Sequence, residues 1–115
     1  MTSPTIDPVT FEALQQTAGA EFVGELVDTF LEEAPAMMAE LRDTLATGDA
    51  DGFRRAAHSL KSNSLTFGAL TLGAMARELE LGGLAQVRDA GSRPLDALAE
   101  EYARVAAALT GLRNA

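Results

Sequence analysis

The chain holds one histidine, His58, with Lys61 three residues on and Arg54 and Arg55 just ahead. Projected on a helix at about 100° per residue, Phe53, Ala56, Ala57, Leu60, Ser64 and Phe67 gather on one side. His58 falls on the other, with Arg54, Arg55, Lys61, Ser62 and Leu65 around it. Core packing does not explain an imidazole on the outer face of a helix among cations. Neutral imidazole is a good nucleophile near pH 7 and forms a high-energy N–P bond. A phosphoryl group on His58 needs its charge offset, and Lys61, one turn along the same face, is placed to do that. Ser62 is small enough to leave room for another protein's active site. The plainer reading is an ordinary surface histidine, and a His-x-x-Lys pair alone does not separate the two.

A face of this kind needs a scaffold, and the composition says what sort. At 115 residues the chain is expected to form one domain, 1–115, that buries roughly two-thirds of its unfolded surface. It has no cysteine, which excludes disulfides, thiolate zinc sites and cysteine nucleophiles. The first residues carry no signal-peptide pattern, and no apolar run approaches the ~20 residues a bilayer requires. A cytoplasmic protein is expected, and the initiating Met with a full set of helices suggests a free-standing one. The net charge of −8 repels phosphate backbones and anionic lipid, so neither nucleic acid nor membrane is expected as a partner. A basic spot on such a chain suggests a small anion.

The elements that position His58 read as helices. Asp7 and Pro8 open a short first one, with Phe11 and Leu14 apolar before Gly19. From about Glu21 to Thr47 apolar residues recur every three or four positions, and Pro35 is expected to bend or divide this helix. Gly48 ends it, and Asp49 or Asp51 caps the helix of His58, which runs from about Ala50 to Leu65. Gly68 marks a tight junction. A fourth helix from Ala69 turns Leu72, Met75, Ala76 and Leu79 inward and weakens at Gly82-Gly83. Ser92 is expected to cap a last helix striped by Leu95, Leu98, Tyr102, Val105, Leu109 and Leu112. Short connections make consecutive helices antiparallel. The predicted fold is all-α: an up-down-up-down antiparallel four-helix bundle with a short additional N-terminal helix.

The segment His58-Ser-Leu-Lys61-Ser62-Asn63-Ser64, then Phe67-Gly68-Ala69 and Leu79-Glu80, resembles the signature of histidine-containing phosphotransfer (HPt) domains of multistep two-component phosphorelays. Phe53-Arg-Arg-Ala-Ala-His58, Phe30-Leu-Glu-Glu-Ala-Pro35 and Gly48-Asp49 are similar to the family too, so the resemblance spans essentially the whole chain. It departs in Ser62, where glycine is usual, and in Asn63 for serine. The resemblance implies a phosphorelay intermediate that takes a phosphoryl group on Nε2 of His58 from a receiver-domain aspartate and passes it to another. It implies Lys61 as the balancing cation and Glu80 as the acceptor that orients the imidazole. Gly68 and Ala69 are implied as structural, letting the two helices approach where they meet. The partners implied are receiver domains of response regulators and hybrid sensor kinases, which supply the magnesium and most catalytic groups.

On this reading the chain is a phosphocarrier and not an enzyme, with no cofactor or metal of its own, acting as a monomer. Arg54, Arg55, Ser62 and Leu65 are the expected docking residues, Leu65 as an exposed apolar contact. The competing reading is a non-catalytic helical adaptor that binds signalling partners with His58 incidental. A di-metal bundle needs paired Glu-x-x-His units, which one histidine cannot supply. Glu32-Glu33 and Glu100-Glu101 are read as solvated faces.

Overall fold

A computed structural model describes residues 4–114, and all regular structure among them is helical. Five helices follow in order: α1 Pro8–Ala18, α2 Ala20–Thr47, α3 Ala50–Thr66, α4 Leu70–Ala90 and α5 Arg93–Arg113. Their starts follow from local chemistry where the sequence offers a cap. The Asp7 carboxylate accepts the Thr10 amide at 3.0 Å, and that of Asp49 accepts the Gly52 amide at 3.0 Å. Each satisfies one of the amides that a helix start leaves without a partner. Gly48, at φ 77°, closes α2 in the left-handed conformation that glycine adopts at little cost.

Helix α2 does not divide at Pro35. The proline sits on the exposed side of a continuous helix, so its ring stays clear of the core. It still cannot donate to the carbonyl of Leu31, and the Tyr102 hydroxyl of α5 points to that oxygen at 3.5 Å. Helix α4 is interrupted at Gly82-Gly83, where the sequence weakens it, but does not end there. Gly83 breaks the helical geometry with φ 78° and ψ 176°, and the chain then resumes helix to Ala90. Leu84 and Val87, both buried, hold those last turns on the core. Ser92 precedes α5 but makes no side-chain cap bond, because its backbone is already helical at φ −78° and ψ −12°.

Packing runs α2 on α3, α3 on α4, α4 on α5 and α5 back on α2, while α1 lies against α2 and α3. The core between them includes Phe53, Leu60, Leu41, Leu72, Leu98, Val105 and Leu109, all essentially inaccessible. Phe30 joins the layers, its ring centroid 5.3 Å from that of Phe67 and 6.1 Å from that of Tyr102. Ser64, fully buried, donates its hydroxyl to the Leu60 carbonyl at 2.7 Å and so brings no unpaired polar atom inside. Two expectations change here. Glu101 is buried rather than solvated, with Arg104 at 2.8 Å as its ion partner, whereas Glu100 and the Glu32-Glu33 pair are exposed. The α5 stripe also fades at its end, where Leu112 is exposed.

The junction between α3 and α4 is tight for a reason other than helix–helix contact. Gly68 takes φ +83°, and its carbonyl accepts the Asp7 amide at 2.8 Å. A Cβ there would stand 2.9 Å from the Asp7 carbonyl oxygen and 3.0 Å from the Thr10 Cβ. The close approach is therefore to the N-terminal segment. Ala69 is wholly buried beside it.

Candidate functional site

Helix α3 buries Phe53, Ala56, Ala57, Leu60 and Ser64, which fixes its rotation and turns His58 outward. Helix α4 is fixed in the same way by Leu72, Ala76 and Leu79. Glu80, next after Leu79, then stands at the edge of the α3–α4 seam, with only 14% of its side chain exposed. Small residues let the helices close on one another. A Cβ on Gly73 would come within 2.5 Å of Leu65 Cδ2, so Leu65 lies over the gap that glycine leaves.

Across this seam one carboxylate meets both groups of the His-x-x-Lys pair. Glu80 Oε2 lies 2.7 Å from His58 Nδ1, and Glu80 Oε1 accepts from Lys61 Nζ at 2.7 Å. The Lys61 hydrogen bond, assisted by that of His58 and by the Lys61 charge, holds the Glu80 carboxyl below its ordinary range against an opposing effect of burial. An ionised carboxylate only accepts, so Nδ1 must carry the proton and donate. In the neutral ring the lone pair is then left on Nε2, on a side chain that is 57% exposed. No group among the described residues bonds to Nε2. The arrangement is a fixed tautomer with its nucleophilic nitrogen facing solvent.

The other cations are less free than the sequence suggests. Arg54 bonds to Asp51 Oδ1 at 2.9 Å, and Arg55 bonds to the other oxygen of the same carboxylate. These charge-assisted bonds, Arg54's foremost, keep Asp51 below the usual carboxylate range. Asp51, singled out in the sequence only as a possible cap, is the partner of both arginines. Its spacing of three and four residues from them was the available signal. Lys61 likewise rests on Glu80 and not on an open anion site. Ser62 is exposed and small on the His58 face, while Leu65 is 42% exposed. Among the described residues no three His, Cys, Asp or Glu side chains group in a way that would hold a metal ion. None of the helices is long and apolar enough to cross a membrane.

Residues 25–115 match the family model described as Hpt domain. The crystal structure of histidine-containing phosphotransfer protein B (HptB) from Pseudomonas aeruginosa PAO1 is similar at a TM-score of 0.88 and 26% sequence identity. The match covers 98% of this chain and 97% of that one. No curated protein sequence matches.

Proposed function

This chain belongs to the Hpt domain family, and from that premise we propose that His58 is the residue on which it carries a phosphoryl group. The chain is a histidine phosphotransfer relay intermediate. The observation that carries the assignment of His58 is the Nδ1–Glu80 contact, which leaves the Nε2 lone pair outward. That lone pair attacks the phosphorus of an aspartyl phosphate on a receiver domain. The N–P bond forms as the P–O bond to the aspartate breaks, and the bonding electrons leave with the carboxylate. The reverse step delivers the group to the aspartate of a second receiver. Lys61 offsets the phosphoryl charge. Arg54, Arg55, Ser62 and Leu65 frame the surface on which the receiver settles.

The chain acts as a phosphocarrier rather than an enzyme, and the receivers contribute the metal-assisted chemistry. It works as a cytoplasmic monomer without nucleic-acid or membrane partners. The closed ring of helix neighbours and the short connections support an up-down-up-down antiparallel four-helix bundle, with α1 added, as a single domain 1–115.

A labelled phospho-receiver incubated with the protein tests the reading. Acid-labile, base-stable label is expected on wild type and none on His58→Gln, with equal helical content by circular dichroism. If wild type takes no label, or His58→Gln takes as much, the assignment fails. An adaptor with an incidental histidine would keep its partner function in His58→Gln.

A further inference from the structure

We infer that phosphorylation of His58 transfers Lys61 from Glu80 to the phosphoryl group, and that Glu80, by competing for Lys61, keeps that group loosely held. The inference rests on the reading of His58 as the phosphoryl carrier. Before phosphorylation a single carboxylate serves two donors, Nδ1 of His58 and Nζ of Lys61, each at 2.7 Å. With His58 neutral, the charges of Glu80 and Lys61 cancel. A phosphoryl group on Nε2 places a charge of about −2 on the outer edge of the same ring. At equal distance that group attracts an ammonium about twice as strongly as a carboxylate does.

Lys61 is the cation already held on the carboxylate that His58 shares, whereas Arg54 and Arg55 both sit on Asp51 in the first turn of α3. Lys61 has the means to move. Its charge is a point on a flexible four-carbon stem, and its side chain lies at the rim with 22% exposed. The exchange leaves Glu80 Oε2 on the Nδ1 proton, so the ring keeps its tautomer. It does strip Oε1 of its partner on a carboxylate that is only 14% exposed. That loss opposes the move and limits how firmly Lys61 grips the phosphoryl oxygens. Glu80 is thus a positioning residue with two effects: one fixes the nucleophile, the other restrains the counter-cation.

The test separates the two effects. Wild type, Glu80→Gln, Lys61→Ala and the double variant are loaded with phosphoramidate, in which the N–P bond to Nε2 forms as that of the donor breaks and ammonia leaves. Decay of phosphohistidine is then followed after removal of the donor. Glu80→Gln retains an oxygen for the Nδ1 proton but has no charge with which to hold Lys61. Its phosphohistidine is expected to last about twofold to fivefold longer than wild type's, the range of one partly exposed ion pair. In the Lys61→Ala background the same change should leave the lifetime unaltered. Equal lengthening in both backgrounds, or none in either, overturns the exchange while leaving the carrier role intact. A wild-type protein that takes no label at His58 overturns both.

Discussion

Glu80 links the protonation of the site to the stability of the fold. Its carboxyl is held below the ordinary range, chiefly by Lys61, so folding favours the ionised form. The contribution is complete above the unfolded value of about 4.3 and is lost as pH falls through the lower folded value. Denaturant unfolding should therefore show a stability gap between wild type and Glu80→Gln that is present above the unfolded value and shrinks as pH falls below it. A gap of the same size at pH 3 would remove this linkage. Ser62 is open to a separate test on the same face: Ser62→Phe adds bulk beside the nucleophile and should weaken receiver binding about tenfold or more, read by titration calorimetry. Affinity equal to wild type would place docking elsewhere. At this scale the buried side of α3 and the outward imidazole were legible from spacing, whereas Glu80 as a partner of the ring came from the family resemblance. The shared carboxylate was not legible, because periodicity gives a residue's face and says nothing of which of two cations a carboxylate on another helix will meet.

At the scale of the element, one breaker behaved differently from its local propensity and another acted without ending its helix. Pro35 leaves α2 continuous, with the orphaned Leu31 carbonyl met by Tyr102. Pro35→Ala restores the helical donor and should stabilise the protein by about 1 kcal/mol in chemical unfolding. Tyr102→Phe should cost up to about 1 kcal/mol in wild type and less in the Pro35→Ala background, where that carbonyl has a second donor. Equal costs in the two backgrounds would show that the hydroxyl does not compensate for the proline. Gly68→Ala meets both an unfavourable φ and the Asp7 backbone, and is expected to lose about 1–3 kcal/mol. Helix positions were legible within a residue or two because each has a strong three-four stripe. The turns beyond the Gly83 break were not, since they depend on burial of Leu84 and Val87 by distant parts of the chain.

For the molecule as a whole, the proposed phosphoryl site and the core occupy opposite sides of one helix. Phe53 is wholly buried, and Phe53→Ala should cost about 3–5 kcal/mol of stability. The fraction that remains folded should still accept label on His58, which separates support of the fold from the reaction; loss of labelling in folded protein would contradict this. The all-helical class was legible from composition and period alone, while the burial of Glu101 beside Arg104 needed three dimensions. The N-terminal segment carries a different kind of consequence. Ile6 and Phe11 are core residues, and the Asp7 amide ties to Gly68 at the α3–α4 junction, yet the family match begins only at residue 25. Anyone grafting this module into a chimeric signalling protein by family boundaries would sever that splint and uncover apolar surface on α2 and α3. A graft that keeps Ile6 keeps both the splint and the core it closes.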